Sequence, residues 1–495
     1  MFENIVNGIL NLFSINNFIV IAFGMLVGII FGALPGLTAT MAVALFTPIT
    51  FGMEPVAGIL MLLAMYCGAT YGGSITAVLI KTPGTPASAA TALDGYAMTQ
   101  KGHGGKALEM ALYASTIGGI ISALALLVIA PLLAKLATAF GPPEFFALAL
   151  FGLTVISGVS GDDIFKALIM GALGLLISCV GIDKITGVPR LTFGNPYLSG
   201  GFQLIPVLIG LFAIAELLNK VEHRDFKVSN VAKFSKEKLE RTEKKRCALT
   251  IGKSSLIGTF IGAVPGTGAA IASFISYGEA KRVSKHPEEF GSGSIEGIAA
   301  SEAGNNGVTG ATLIPLLTLG IPGDAVTAIL MGSLLMQGII PGPSLFTQHS
   351  LIVYTIMVGL IVVNVAMYLE GKFLLKLFVK ITKLPMNLMI PMIVLLCVTG
   401  AYAVNNAFFD VAAMMAFGII GYVLTRMKFP VTPMLMAIIL GPTAEEGMRQ
   451  SLILSDGSYS IFVQRPICLL FLVISVISII WPVIKFLLFK KEKSK

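Results

Sequence analysis

The stretch from Tyr71 to Gly95 most constrains how this chain can fold, because it is largely apolar but cannot form one continuous helix. Pro83 and Pro86 each lack a backbone N–H, and proline disfavours helical geometry in the residue before it. Gly84, between them, permits a turn that other residues resist. We therefore expect helix to stop near Lys81 and to restart directly after Pro86.

The composition predicts a polytopic membrane protein. Of the 495 residues, 55% are hydrophobic and only 12% are charged, whereas soluble proteins carry about 25% charged residues. In lipid, an interrupted helix and a lysine are tolerated only where they are buried in protein or line a watery cavity. The interrupted stretch is therefore interpreted as half of a solute site. The net charge of +8 comes from basic residues collected in short segments, which is typical of cytoplasmic loops rather than of nucleic-acid binding.

The apolar runs predict an all-α fold with about 10–12 transmembrane helices, since each span needs about 20 apolar residues. One long basic segment divides the chain and is expected in the cytoplasm, as is the lysine-rich end. The expected organisation is a first membrane repeat (1–219), a basic cytoplasmic linker (220–248), a second membrane repeat with extra C-terminal helices (249–489) and a cytoplasmic tail (490–495).

Two interrupted motifs recur in the same order in both halves. GxxxGALPG at residues 28–36 returns 230 residues later as GxxxGAVPG, and TPGT at residues 82–85 aligns with IPGD 239 residues later. A charged insert near residues 281–290 accounts for the nine extra residues. Helix ends in mid-membrane expose N–H groups that attract carboxylates and carbonyls that attract cations. Such paired interruptions, as broken helices or re-entrant hairpins, mark the binding sites of secondary transporters. The repeats are expected to be inverted if each half has an odd number of spans.

Three segments resemble the large membrane subunit of the tripartite tricarboxylate transporters: GALPGLTATMAVALFTPITFGM, YGGSITAVLIKTPGTPASAATALDGY and GAVPGTGAAIASFISYGEAKR. The resemblance covers nearly the whole chain. It implies a multi-pass permease of the prokaryotic inner membrane that imports di- or tricarboxylates or related organic anions with an ion gradient. It also implies a small integral membrane subunit and an extracytoplasmic solute-binding protein as partners. Analogy with other binding-protein-dependent transporters suggests elevator-like motion, and a homodimer is possible.

Polar residues in the first half are candidates for the site. Lys81 could provide the counter-charge for a carboxylate, or it could be a lysine that reaches water from a helix end. Asp94 could bind the coupling cation, pair with Lys81 or face water. The hydroxyl groups could coordinate solute or ion, but they often only bond to their own helix. The solute-binding candidates here are Thr38, Lys81, Thr82, Gly84, Thr85 and Ser88.

In the second half, the polar cluster at residues 301–307 enters an apolar helix. Amide groups there can both donate and accept hydrogen bonds, which suits a carboxylate or a sodium ion. The alternative is a helix N-terminus capped at the membrane interface. The solute-binding candidates are Gly266, Thr267, Asn305, Asn306 and Gly323. The ion-coupling candidates are Glu302 and Asp324, together with Asp94.

A secondary active carboxylate permease is the leading functional hypothesis, and a gradient-independent organic-anion channel is the alternative, because broken helices also line pores. An enzyme is not expected, since the sequence has no HExxH, GxSxG or Walker A motif and no acid–base constellation. The five cysteines and four histidines are scattered and predict neither disulfides nor a metal site. No signal peptide, nucleic-acid partner or cofactor is expected beyond a coupling Na⁺ or H⁺.

Overall fold

The computed structural model describes residues 2–34, 36–159, 163–223, 237–382 and 386–492. The chain forms two compact units. Unit 1 comprises Met1–Ala134 and Glu216–Gly400, and unit 2 comprises Lys135–Ala215 and Ala401–Lys495. These units are defined by contacts, whereas the predicted repeats follow sequence order, so the two divisions describe different properties of the chain.

Most of the described residues are α-helical. The helices are α1 Phe2–Leu12, α2 Ile15–Ala33, α3 Ala39–Phe46, α4 Pro55–Ile80, α5 Thr91–Gln100, α6 Gly104–Ala137, α7 Pro142–Val159, α8 Ile164–Ser178, α9 Leu204–Leu208, α10 Ala215–His223, α11 Arg241–Ala263, α12 Gly268–Val283, α13 Ile295–Ala311, α14 Leu313–Leu319, α15 Ala325–Met336, α16 Leu345–Gln348, α17 Ser350–Phe373, α18 Leu375–Ile381, α19 Met386–Asn405, α20 Phe408–Arg426, α21 Val431–Leu454, α22 Ile461–Gln464 and α23 Pro466–Glu492. Shorter 3₁₀ turns cover Thr47–Gly52, Pro86–Ser88, Pro196–Leu198 and Pro287–Glu289, and a π-helical segment, Ile209–Ile214, joins α9 to α10. Strands β1 Gly181–Ile182 and β2 Pro189–Arg190 pair antiparallel.

Seven helical stretches among the described residues are long and apolar enough to cross a membrane, and five shorter apolar helices accompany them. The seven are Ile15–Ala33, Pro55–Ile80, Gly104–Ala137, Leu204–Glu222, Ser350–Phe373, Leu388–Asn405 and Phe408–Arg426. The predicted all-α polytopic membrane fold is therefore confirmed.

Unit 1 contains four interruptions, which we call breaks 1 to 4. Break 1 (residues 34–38) separates α2 from α3, and Pro35 within it lies outside the described residues. Break 2 (81–90) separates α4 from α5, break 3 (264–267) separates α11 from α12, and break 4 (320–324) separates α14 from α15. All four coincide with the predicted Pro-Gly motifs, so these predicted interruptions are confirmed.

Helices α2 and α4 pack closely along a row of glycines. A Cβ on Gly28 would collide with the backbone of Met65, and one on Gly32 would collide with the backbone of Ala69. Since the residue numbers rise together along both helices, α2 and α4 run parallel. The short segment between them, α3 with its following 3₁₀ turn, must therefore return the chain.

The second half repeats this packing with α11 and α13. A Cβ on Gly258 would meet the backbone of Gly304, and one on Gly262 would meet the backbone of Val308. These four positions lie 230 residues after their α2 equivalents and 239 residues after their α4 equivalents. The contacts therefore carry the same two sequence shifts as the motifs.

The two predicted charged segments are only partly described. Residues 224–236 of the predicted linker and 493–495 of the predicted tail lie outside the described residues. The remaining parts of the linker fall at the end of α10, in residues 237–240 and at the start of α11. Their cytoplasmic location stays a prediction.

Unit 2 contains a β-hairpin tied to α21 by ion pairs. Arg190 donates to both carboxylate oxygens of Glu445, at 2.6 and 3.2 Å. Arg449 binds Asp183 at 2.5 Å and Glu445 at 3.2 Å. The backbone N–H of Thr186 and the guanidinium of Arg449 hold the pKa of Asp183 well below its usual range. These bonds fix the hairpin on the helix.

We predict that Gly28→Ala destabilises the protein by about 2 kcal/mol, because the added methyl group forces α2 away from α4. Gly252→Ala is the matched control, since a Cβ there meets nothing within 4 Å and alanine is a better helix former than glycine. Thermal unfolding of the detergent-solubilised chain measures both. Equal melting temperatures for the two variants would contradict this packing.

Candidate functional site

Break 2, which follows α4 in the chain, folds back and packs against both α2 and α4. The backbone N–H of Gly84 donates to the carbonyl oxygen of Gly73 at 3.2 Å. A Cβ on Gly84 would collide with the carbonyl oxygen of Gly32, and one on Gly73 would meet the hydroxyl oxygen of Thr85. Only glycine at these positions lets the three backbone segments approach so closely. Gly32 lies at the end of α2, so breaks 1 and 2 are close together.

Breaks 3 and 4 make the corresponding contact in the second half. The backbone N–H of Gly266 donates to the carbonyl oxygen of Gly323 at 2.7 Å. A Cβ on Gly323 would meet Thr312, which follows Gly73 by 239 residues. Breaks 3 and 4 are therefore in direct contact, with the predicted residues Gly266 and Gly323 side by side, whereas in the first half break 2 contacts the end of α2 that leads into break 1.

Helix α4 of the first repeat contacts break 4 of the second repeat, and helix α13 of the second repeat contacts break 2 of the first. The hydroxyl group of Tyr66 on α4 donates to Asp324 at 2.6 Å, and the amide group of Asn305 on α13 donates to the carbonyl oxygen of Ala87 at 3.2 Å. Tyr66 and Asn305 are equivalent under the shift of 239 residues. In addition, α12 packs against the Pro86–Ser88 turn and α3 packs against α15. Candidates from both halves thus meet in one region of unit 1.

The ion-coupling candidate Glu302 is fully buried at this junction. Its carboxylate accepts hydrogen bonds from Ser74 at 2.5 Å, from Ser115 at 2.8 Å and from Thr91. These donors come from α4, α6 and α5, so they enclose the carboxylate from three sides. Sequence reasoning missed Ser74 and Ser115, because isolated hydroxyl residues in apolar helices give no signal of their partners.

The second candidate, Asp94, holds the loop before α13. One of its carboxylate oxygens accepts from the N–H groups of Gly291, Gly293 and Ser294, each at 2.8 Å. The other accepts from the hydroxyl group of Tyr277 at 2.8 Å. A buried carboxylate at the start of a helix is also favoured by the helix dipole. Asp94 therefore fixes the N-terminus of α13, and its ion-coupling role stays a prediction.

Two predicted residues of break 2 lie on the surface. Lys81 and Thr82 are exposed, and the Lys81 amine lies 5.8 Å from the centre of the Tyr96 ring. Lys81 ends α4 with a left-handed backbone, at a φ of 59°. This is the position expected of a helix-end lysine that reaches water, while a role toward a carboxylate solute stays a prediction.

Several of the candidate hydroxyl groups bond to nearby backbone, which is the alternative to solute or ion binding that the sequence left open. Thr38 accepts from the Met41 N–H at 3.1 Å and so caps α3. Ser88 donates to the Thr85 carbonyl oxygen at 2.9 Å, and Thr267 donates to the Val264 carbonyl oxygen, also at 2.9 Å. These bonds stabilise the interrupted backbone whether or not solute binds.

Other buried oxygens have no hydrogen-bond partner among the described residues. They include the hydroxyl oxygens of Thr85, Ser273 and Ser276 and the amide oxygen of Asn306, and further examples are the oxygens of Tyr71, Ser122 and Asn364. Thr85 lies on break 2, both serines lie on α12, and Ser276 lies against Gly304 on α13. Buried polar atoms without partners are costly, so such atoms are often positions where water, an ion or a ligand binds. No group of three or more His, Cys, Asp or Glu suited to a metal occurs in the described ranges.

Lys220 is a further charged residue that sequence reasoning assigned only to the linker. Its amine occupies the space where a Cβ of Gly36 would lie, beside break 1. Gly36 has a φ of 81°, which also favours glycine. Nothing in the sequence indicated that α10 places Lys220 beside break 1.

We predict that Glu302→Ala lowers the free energy of unfolding by about 3 kcal/mol, because three buried hydroxyl groups lose their common acceptor. Ser115→Ala removes only one donor and is expected to cost about 1 kcal/mol. Chemical or thermal unfolding in detergent gives both values. A larger loss for Ser115→Ala than for Glu302→Ala would show that the carboxylate is not the centre of this network.

We predict that Asp94→Ala loosens residues 284–294, since the N–H groups of Gly291, Gly293 and Ser294 lose their shared acceptor. Limited proteolysis should then cleave this loop faster than in the unchanged chain. Asp410→Ala serves as the control, because Asp410 is also buried but lies in unit 2, where it binds Asn405. Equal cleavage rates in the Asp94 variant and the unchanged chain would show that the hydrogen bonds of Asp94 do not hold this loop in place.

Known proteins resemble this chain over most of its length. Residues 18–436 match the model of the tripartite tricarboxylate transporter TctA family. An Agrobacterium vitis protein described as an uncharacterized 52.8 kDa protein in the TAR-I ttuC' 3' region is 37% identical over 470 residues, which cover 95% of this chain and 94% of that protein. An uncharacterized protein in the TAR-II ttuC' 3' region of the same organism is 40% identical over 210 residues, which cover 42% of this chain and 87% of that protein. No solved structure matches the chain. As its Gly- and Pro-rich motifs predicted, the chain belongs to the TctA family of tripartite tricarboxylate transporters.

Proposed function

We propose that this chain is the permease subunit of a binding-protein-dependent secondary active transporter for di- or tricarboxylates or related organic anions. A sodium or proton gradient drives uptake, and the membrane is the inner membrane of a prokaryote. Its partners are a small integral membrane subunit and an extracytoplasmic solute-binding protein. Family membership supports the transport role, and the meeting of breaks from both halves supports the location of the site.

The proposal includes an inverted arrangement of the two repeats with elevator-like alternating access. Cys67 of α4 contacts Thr309 on α13, whereas Ser74, further along α4, contacts Glu302, which comes earlier on α13. Residue numbers therefore rise along α4 as they fall along the second half. Since α2 runs parallel to α4 and α11 runs parallel to α13, these contacts favour oppositely directed repeats.

The coupling ion is proposed to bind near Glu302 and the unpartnered oxygens. Thr85, Asn306 and the serines of α12 offer neutral oxygen ligands, and Glu302 offers a carboxylate. Hard cations such as sodium bind oxygen, whereas proton coupling requires only a carboxylate that can be protonated. The buried oxygens of Thr85 and Asn306 beside break 2 and α12 are the observation that carries this location.

Solute carboxylates are proposed to bind at breaks 2 and 3. The first turn of α12 has no side-chain cap, so its N–H groups and its positive helix end face break 3. By contrast, the N-terminus of α15 is capped by Asp324, which accepts from the Thr327 N–H at 2.8 Å. A carboxylate of the chain itself thus already occupies this other helix N-terminus of the second repeat, which follows break 4. Lys81 supplies positive charge at the exposed side of break 2.

We predict that Thr85→Val reduces uphill uptake by at least about tenfold, because the site loses one oxygen ligand while the side-chain volume is kept. Thr85→Ser should restore uptake. Thr399→Val is the matched control, since Thr399 is exposed and bonds only to its own helix. The assay is uptake of labelled di- and tricarboxylates into proteoliposomes that contain the chain with its two partner subunits, with and without a sodium or proton gradient.

The same assay tests the class of function. Uphill uptake that requires one gradient and the binding protein is the expected result, and it identifies the coupling ion. Downhill flux that is indifferent to both gradients would replace the permease by an organic-anion channel. Full activity of Thr85→Val would remove this residue from the proposed site.

A further inference from the structure

A cavity of about 470 Å³ lies between α11 and α12, apart from the breaks. Basic residues from both sides line it, together with apolar residues of the two helices. The lining includes Arg246, Lys253, Lys285, His286, Leu249 and Val283. The cavity therefore combines positive charge with an apolar wall, and the solute site described above does not use it.

Lys253 is placed unusually for a membrane protein. It lies near the middle of the 23-residue α11, on an exposed face with Leu249, Leu256 and Phe260. Leu256 is 63% exposed and Phe260 is 75% exposed, as expected for side chains that contact lipid. A lysine within such a face is costly unless it reaches water or an anionic group.

The first repeat shows that the fold does not require this lysine. The equivalent position, 230 residues earlier, is Phe23, which is also exposed on the corresponding face of α2. The same helix packing is therefore compatible with an apolar residue there. A positive charge at this position in one repeat alone indicates a local binding role.

The acidic residues of the cavity are already bound. Glu296 accepts from Thr250 at 2.6 Å and from Ser284 at 2.7 Å. Glu279 forms an ion pair with Arg282 at 2.8 Å, and Lys253 attracts the Glu279 carboxylate electrostatically without a salt bridge. Both carboxylates therefore already have partners within the protein.

The basic residues are less completely paired. Arg246 binds Glu289 at 3.1 Å, and His286 lies 3.4 Å from Glu288. Lys253 and Lys285 have no salt bridge within the described part of the chain. Two ammonium groups therefore remain available for an anion.

On both α11 and α12, the exposed apolar residues lie nearer break 3 and the basic residues lie farther from it. On α11 the basic residues come first and the exposed apolar residues lie nearer break 3. On α12 the exposed Ile271, Phe274 and Ile275 lie nearer break 3, and Lys281 and Arg282 come last. Because break 3 joins the two helices, their apolar ends lie together and their basic ends lie together.

We propose that this cavity binds an anionic phospholipid. The phosphate lies against Lys253 and Lys285, and the acyl chains follow Leu256 and Phe260 toward break 3. Basic pockets between membrane helices bind anionic lipid headgroups in this way. The adjoining segment is the one predicted to be cytoplasmic, so the lipid belongs to the leaflet at the basic end of α11.

The test is lipid binding to the full chain, purified in detergent and freed of lipid, measured by native mass spectrometry. Phosphatidylglycerol and phosphatidylcholine with identical acyl chains are the probes. We expect phosphatidylglycerol to bind more tightly, and Lys253→Phe to weaken its binding about fivefold. This variant carries the residue found in the first repeat, so it should fold. Lys245→Ala, an exposed neighbour outside the cavity, is the matched control and should bind like the unchanged chain.

Equal binding of the two lipids, or equal losses in the Lys253 and Lys245 variants, would overturn the proposal. Glycerol phosphate, which has the headgroup charge but no acyl chains, separates the sources of the anion. If it displaces phosphatidylglycerol at similar concentration, the cavity is a site for soluble anions rather than lipid. If it fails to compete, the apolar wall contributes as proposed.

Discussion

The constraint on which this structure depends is that interrupted backbone in a membrane must pair its polar groups inside the protein. Breaks 2 and 3 satisfy this constraint because glycine lets their backbone approach other backbone closely enough to form hydrogen bonds. The Gly84 N–H bonds to the Gly73 carbonyl oxygen, and the Gly266 N–H bonds to the Gly323 carbonyl oxygen. Any side chain on Gly84 or Gly323 would collide with neighbouring backbone or with Thr312. Close helix packing and paired breaks are therefore one requirement, since the breaks can be satisfied only where helices approach this closely.

Buried carboxylates then connect the two repeats. Glu302 and Asp324 belong to the second repeat but accept hydrogen bonds from hydroxyl groups of α4, while Asp94 of the first repeat holds the loop before α13. Leaving a buried donor or acceptor unpaired costs more than a typical hydrogen bond contributes, so these contacts strongly favour one arrangement. A motion that separates the repeats must exchange these partners for water, ion or solute. The two repeats are therefore held together by polar contacts as well as by helix packing.

The interruptions could be predicted because proline and glycine act on the local backbone, wherever the rest of the chain lies. The repeat and the family followed from the same motifs. The partners of Glu302 and Asp94 could not be predicted, since Ser74 and the N–H of Gly291 are brought to them only by the fold. Lys220 shows the same limit, because a lysine beside a basic linker gives no sign that it contacts Gly36. Local chemistry thus identified the breaks, and tertiary contacts determined what surrounds them.

Comparison of the two repeats separates what the fold requires from what one site requires. The glycines at 32 and 262 serve both halves alike, as packing demands. Tyr66 and Asn305 occupy equivalent positions and both reach across, but one donates to a carboxylate and the other to a backbone carbonyl oxygen. Break 4 therefore carries the carboxylate of Asp324 at the position where break 2 has the Thr85 hydroxyl group, which has no partner among the described residues. The same packing with different polar groups therefore gives the two ends of the junction different chemistry, a carboxylate at break 4 and a hydroxyl group at break 2.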